Sequence, residues 1–226
     1  MNVDAKKYWN SYYEEHAFAT GKAPLDFLLK MQARMQKGRV LDVAMGEGIN
    51  SVYLAQKGYK VDGFDISETA CRRARELARD TGVELTIKCT DMDMYLLGIM
   101  QYDAVIMTYF KPSVLRYYPE LIKSLKQGGT LLLESYHVDA LEEAIPKEES
   151  YRDCYFNTNE LLPNLRGMLL LYYHEGKVNG RQVVRCFAKK PIDRHAAKFD
   201  LFDMQTKQDK QGKSQQLELA EKLFKK

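Results

Sequence analysis

Short apolar runs and amphipathic stretches take turns along this chain. Val40, Leu41 and Val43 form a run too short and too β-branched for a helix, so they predict a buried strand. Ile49, Val52, Tyr53 and Gln56 follow at near-helical spacing. Gly58 ends that helix, and residues 59–65 read as a second strand. Ala70, Ala74, Leu77 and Ala78 then give one apolar helical face, closed by Thr81-Gly82. Val83, Leu85 and Ile87 alternate with polar residues and predict a third strand leading into Thr90-Asp91-Met92. Residues 102–107 are the fourth strand. Leu115, Tyr118, Ile122 and Leu125 suggest a helix stopped by Gln127-Gly128-Gly129, before a fifth strand at residues 130–136. An acidic, irregular segment at 137–158 and a short helix at 159–165 precede a hairpin. Its arms are residues 168–174 and 181–188, with the turn at 175–180.

Upstream, Tyr8, Trp9, Tyr12 and Tyr13 share one side of a helix. Such amphipathic rings suit either packing on the core or a lid over a pocket. Gly21-Lys22-Ala23-Pro24 breaks the chain, and Leu25, Leu28, Leu29 and Gln32 mark a second helix. Strand–helix alternation followed by a hairpin predicts an α/β fold. The expected form is a Rossmann-like, doubly wound, seven-stranded sheet, mostly parallel, with an antiparallel C-terminal hairpin. The expected division is N-terminal helices or lid at 1–38, a ligand-binding core at 39–190, and a charged tail at 191–226.

Composition narrows the function. The 226 residues are 45% hydrophobic, enough for a full core, and the net charge is +3. Positive and negative residues interleave, which argues against a nucleic-acid partner. No run is long enough to span a membrane and no apolar signal region opens the chain, so the expected location is cytoplasmic. Cys71, Cys89, Cys154 and Cys186 are scattered with neither CxxC nor metal spacing; the expectation is reduced cysteines and no metal. After Pro191 the chain turns to Lys, Asp and Gln, with Leu217, Leu219, Ala220, Leu223 and Phe224 as a weak amphipathic end.

The chemistry concentrates where the first strand ends. Ala44-Met45-Gly46-Glu47-Gly48 turns sharply into a helix, a cradle in which a ligand can approach the backbone. A dinucleotide fingerprint would put its third glycine where Ser51 stands. Asp42, inside the strand end, fits a ligand with an amino group better than a pyrophosphate. Asp65 ends the second strand about 20 residues on, where open α/β sheets place a carboxylate against ribose hydroxyls. Asp91 and Met92 end the third strand and could grip an adenine, the acid accepting from the exocyclic amine and Met92 packing on the ring.

In this order and spacing the pieces resemble the class I S-adenosylmethionine-dependent methyltransferases. The matching parts are residues 42–48, Asp65, Asp91, the strand at 102–107, the turn at 125–129 and the hairpin. Within that superfamily the chain looks most like the small bacterial group around the tellurite-resistance methyltransferases. Trp9, Tyr13, residues 42–55 and Glu134-Ser135-Tyr136-His137 carry that likeness. Ala44 departs from the usual first glycine, and Met45 stands where Cys or Gly is common. The resemblance implies S-adenosylmethionine as cofactor. Asp42 would face its ammonium and Ala44, Gly46 and Gly48 its methionine part. Asp65 with Ile66 would take the ribose, Asp91 with Met92 the adenine, and Thr108 would lie beside the methyl group. Candidate acceptor contacts are Tyr12, Tyr13, Tyr109, Tyr136 and His137, with His137, Tyr109 and Tyr136 as catalytic candidates. His137 is the expected base because imidazole titrates near neutral pH. A small-molecule acceptor (thiol, metalloid oxyanion or hydroxyl) is the expected partner. The alternatives are a methyltransferase acting on a macromolecule and a non-catalytic module of the same fold.

Overall fold

The computed structural model describes residues 3–18, 21–140 and 155–193. The chain divides into two units after Pro191, and the fold lies in the first. The features expected in the tail, Cys154 and most of the irregular segment at 137–158 lie outside the described residues. Among the described residues no helix is long and apolar enough to cross a membrane, and no three His, Cys, Asp or Glu side chains group as metal ligands.

The seven strands are β1 (Arg39–Val43), β2 (Lys60–Asp65), β3 (Leu85–Cys89), β4 (Tyr102–Thr108), β5 (Leu125–Tyr136), β6 (Leu169–Val178) and β7 (Arg181–Lys189). They form one sheet in the order β3-β2-β1-β4-β5-β7-β6. β1 to β5 are parallel, and β7 runs antiparallel between β5 and β6. The helices are α1 (Val3–Glu15), α2 (Asp26–Met31), α3 (Ile49–Gln56), α4 (Glu68–Asp80) and α5 (Tyr117–Ser124).

Both faces of the central strands are covered. Val40, Ala104, Ile106, Leu132 and Phe187 bury one face with Leu54 of α3 and Phe27 and Leu28 of α2. Leu41, Val43, Val105, Met107, Leu131 and Leu133 bury the other with Tyr118 and Leu121 of α5. Full burial of each such side chain contributes about 1.5–3 kcal/mol. A slip of β1 by one residue would swap Asp42 into the α5-side layer, so packing fixes its direction. At the edge, β3 alternates half-buried and exposed positions, as its sequence pattern predicts.

Four boundaries differ from expectation. Leu125 leaves the helix and joins β5, where it is fully buried opposite Tyr102. The parallel ladder shifts register between Tyr102 and Ala104 to absorb the Gln127-Gly128-Gly129 step. Leu115, expected on the apolar face of α5, lies ahead of it and is 63% exposed. The hairpin turn is only Asn179-Gly180, with φ of 51° and 81°. Positive φ at both central residues suits a two-residue hairpin, so residues 175–178 extend β6. In the 159–165 stretch only Leu162–Leu165 is helical, as one short 3-10 turn.

Candidate active site

The sheet order reverses between β1 and β4, which opens a crevice at their carboxyl ends. Alternation along β1 puts Asp42 on the same face as Val40, toward α3. There Ser51 Oγ donates to Asp42 Oδ2 at 2.6 Å. Asp42 Oδ1 is buried and has no hydrogen-bond partner. Burial pushes this carboxyl up to about 7; Ser51 holds it back and the nearby Asp65 adds to the rise. A buried carboxylate oxygen without a donor is costly, which marks a place for a cation or donor from a ligand.

The turn after Asp42 is left-handed at Ala44 (φ 52°), Gly46 (φ 56°) and Gly48 (φ 79°). A Cβ on Gly48 would sit 2.9 Å from the Ala74 Cβ of α4, so glycine is required for close packing as well as for φ. At Ala44 the same conformation costs roughly 1–2 kcal/mol. Met45 turns its side chain under the cradle, against Gly63, Cys71 and Ala74.

Asp65 is buried at the end of β2. Its Oδ2 accepts from Gly46 N at 2.8 Å and its Oδ1 from Ser67 N at 2.9 Å. Burial lifts its pKa to about 6, with those backbone donors holding it down. Ile66 beside it is partly exposed. Asp91 accepts from Asp93 N at 3.2 Å and so shapes the turn after β3. Met92 is only 8% exposed and belongs to the core around Phe64 and Tyr95. At the end of β4, Thr108 Oγ1 accepts from Asn50 Nδ2 at 3.2 Å. All nine expected cofactor residues thus fall on the ends of β3, β2, β1 and β4 or in the turns that follow them. Tyr13 reaches them from α1: its hydroxyl lies 2.7 Å from where a Gly46 Cβ would be. Burial, then the charges of Asp65 and Glu47, keep that phenol protonated.

Beside the cradle is a cavity of about 290 Å³ that shares Thr108 with it. Ile49 and Asn50 of α3, Tyr109, Glu134, Arg181 and Arg185 line it, together with Asp26 of α2. Glu134 and Arg185 are register partners across β5 and β7 and form a buried ion pair at 2.6 Å. Tyr109, at φ 53°, donates its hydroxyl to Glu134 Oε1 at 2.9 Å and accepts from Arg181 Nη1 at 3.3 Å. Burial, and then the Glu134 charge, push the Tyr109 phenol well up. It is a fixed donor at neutral pH and takes no proton. The loop ahead of α2 is tied in through Leu25 N, which donates to Asn50 Oδ1 at 3.0 Å.

The other acceptor candidates do not line this cavity. His137 is 4% exposed and held in its loop: Thr158 Oγ1 lies 3.3 Å from its Nε2, and Asp139 N donates to its Nδ1 at 3.3 Å. The Asp139 carboxylate also lies 3.2 Å from His137 Nδ1, so the ring sits in a polar loop setting outside this cavity. Tyr136 packs its ring between Tyr109 and Tyr155, at centroid distances of 4.8 and 5.3 Å, and acts as a wall behind Tyr109. Tyr12 stacks on His16 at 4.9 Å within the aromatic row of α1. Sequence reasoning missed Asn50, Arg181 and Arg185 and read Glu134 only as part of a family match. A charge inside each of two apolar runs, Leu131–Glu134 and Val183–Cys186, was the available signal.

The family model described as a methyltransferase domain matches residues 40–129, from β1 through the turn inside β5. That match covers less than half of the chain. A relative, the ribosomal protein L11 methyltransferase of Syntrophotalea carbinolica, is 41% identical over 96 residues, 42% of this chain. The match spans 31% of that protein's own length. Among solved structures, TehB from Haemophilus influenzae superposes with a TM-score of 0.61 at 19% identity, over 80% of this chain and 67% of TehB. Magnesium protoporphyrin IX methyltransferase from Synechocystis, solved with S-adenosylhomocysteine, gives 0.62 at 18% identity, over 83% and 98%. At under 20% identity these likenesses establish the fold of the sheet and its flanking helices.

Proposed function

We propose that the whole chain is an S-adenosylmethionine-dependent methyltransferase whose acceptor is a small molecule held in the 290 Å³ cavity beside Thr108. The observation that carries it is the buried Asp42 Oδ1, left without a partner at the mouth of a glycine turn. The cofactor's ammonium supplies what that oxygen lacks. Asp65, held by two backbone donors, keeps lone pairs for ribose hydroxyls beside Ile66, and Asp91 stands in the turn after β3 where the adenine amine would be met. The donor set therefore fits the cofactor.

When bound, the cofactor supplies a methyl group on a sulfonium, a leaving group that needs no acid. The protein's task is alignment and exclusion of water, which in well-oriented cases supplies roughly 7–11 kcal/mol. Thr108 and Asn50 fix the border between cradle and cavity. Tyr109, Glu134, Arg181 and Arg185 form a rigid polar wall opposite. Tyr109 holds its proton and both Glu134 oxygens are engaged, so this wall lacks a ready base. That favours an acceptor that arrives as an anion or ionises easily, such as a thiol or a metalloid oxyanion, over an alcohol. His137 and Tyr136 support the wall from behind, and Tyr12 and Tyr13 belong to the α1 cover.

The relatives' names include a ribosomal-protein enzyme, which keeps a macromolecular acceptor as the second reading. Its test is the same experiment. Calorimetric titration with S-adenosylmethionine, with NADH as control, is expected to show binding of the first only. Asp65→Ala is expected to abolish that binding. Release of S-adenosylhomocysteine is then followed with a panel of thiols and oxyanions, and with ribosomal protein and tRNA. NADH binding, or unchanged affinity in Asp65→Ala, overturns the reading; turnover on the macromolecules alone moves it to the second.

A further inference from the structure

We infer that Asn10 of α1 is a positioning residue for the cofactor site, and that it latches α1 as a lid whose release sets the rate of cofactor exchange. The inference rests on the methyltransferase reading above. Asn10 Oδ1 accepts from Ser67 Oγ at 2.9 Å and from Glu68 N at 2.8 Å, with Thr69 N at 3.5 Å. It therefore caps α4 from another helix, alongside the cap that Ser67 itself provides to Ala70 N.

The contact leads straight to the cradle. Ser67 N donates to Asp65 Oδ1, and Gly46 N donates to Asp65 Oδ2. Over Gly46 lies the hydroxyl of Tyr13, back on α1. Arg73 of α4 closes the ring by donating to the Tyr13 carbonyl and to Glu47 Oε1. Asn10, Ser67, Asp65, Gly46 and Tyr13 thus form one circuit that begins and ends on α1. A ligand in the cradle would lie inside it.

α1 is also built to let go. No residue from Asp4 to Glu15 belongs to a buried core cluster, although the Tyr13 phenol is buried over the cradle. Elements held by few buried apolar contacts open first. The polar latch is what remains, and within it Lys6–Glu68 is an exposed pair of small worth, with Glu68 67% exposed. Asn10 carries more, because its single oxygen serves several donors at once.

The test is stopped-flow displacement of S-adenosylhomocysteine from the full chain. Asn10→Leu keeps the size and removes the acceptor; its dissociation rate is expected to rise about tenfold, in line with two lost hydrogen bonds. Asn10→Asp, which still accepts at a helix N-terminus, is expected to restore a rate within about twofold of wild type. Lys6→Ala, which loosens the same interface at its exposed edge, is expected to stay within about twofold as well. Asn10→Ser serves as a second variant should the leucine protein fold poorly. A lower melting temperature with an unchanged dissociation rate overturns the inference, because a merely structural contact predicts that pair of results. An equal rise in Lys6→Ala overturns it too. Absence of any S-adenosylhomocysteine binding by the wild type instead sinks the methyltransferase reading, and the latch with it.

Discussion

Cofactor affinity is expected to rise with pH through neutrality, and the reason lies in Asp42. Its carboxyl is lifted from the ordinary 3.8 to about 7 by burial. At about 1.4 kcal/mol per pH unit, that rise corresponds to about 4 kcal/mol of disfavour for the charged form. The sign for stability follows directly. The folded chain holds a proton on Asp42 that the unfolded chain has released, so between about pH 4 and pH 7 stability falls as pH rises. Below that window both states are protonated and no penalty applies. Asp65, lifted to about 6, acts in the same direction.

A ligand ammonium beside Oδ1 reverses the balance, because it favours the carboxylate. Binding near pH 6 must therefore release a proton from Asp42, while binding near pH 8 need not. If the bound carboxyl returns close to its ordinary range, S-adenosylhomocysteine binds about tenfold tighter at about pH 8 than at about pH 6. Calorimetry in buffers of different ionisation enthalpy measures the released proton as well as the affinity. Two controls isolate the residue. Methylthioadenosine lacks the amino-acid part and is expected to show only the smaller dependence due to Asp65. Asn at position 42, an isosteric change, is expected to flatten the profile of S-adenosylhomocysteine to that of methylthioadenosine. Equal pH profiles for the two ligands in the wild type would refute the placement of the ammonium at Asp42.

Three further outcomes follow from named contacts. Glu134→Gln leaves Arg185 buried without its counter-charge and is expected to cost about 3–5 kcal/mol in denaturant unfolding, whereas Glu134→Leu with Arg185→Leu is expected to recover most of that loss. Recovery no better than the sum of the singles would show that the two do not act as a pair. Arg181→Ala is expected to leave S-adenosylhomocysteine affinity unchanged and to lower kcat/KM for the acceptor by roughly 10–100-fold, read by product release, because it removes a charged donor from the cavity and not from the cradle. Ala44→Gly relieves a left-handed alanine and is expected to raise stability by up to about 1 kcal/mol in thermal unfolding, glycine's extra unfolded-state entropy taking back part of the gain.

The cradle was legible from the sequence because its parts obey local rules. A β-branched run makes a strand, small residues make the turn, and a carboxylate at a parallel strand end faces the crevice. Each inference needs only a few consecutive residues, and β1, the turn after it and the acids that end β1 and β2 lie where those rules put them. The boundaries that failed did so where tertiary packing overrode a local pattern. Leu125 fits the apolar face of α5 by spacing, yet the sheet buries it. Asn179-Gly180 alone makes the hairpin turn, because two left-handed residues suffice and longer turns would waste the pairing of Glu175, Lys177 and Val178.

The cavity beside Thr108 was hidden for a different reason: it is assembled from Asp26, Asn50, Tyr109, Glu134 and Arg181, which sit in five separate segments. Of the candidate acceptor contacts, Tyr109 lines this cavity and His137 does not. The His137 ring nitrogens meet Thr158 and Asp139 in their own loop, contacts that spacing along the chain does not reveal. Desolvation would have been the better guide. An acidic residue in one apolar strand and a basic residue in another can each be buried only with a counter-charge. An antiparallel hairpin beside β5 offers Glu134 and Arg185 to one another. Once that pair is neutral, Arg181 is the cation of the wall with its charge still available to a ligand, and Tyr109, strained at φ 53°, is the residue bent to link it to Glu134. Strain of this kind persists where surrounding contacts over-determine it, and it concentrates at binding sites. The wall therefore points to an acceptor that meets Arg181 first.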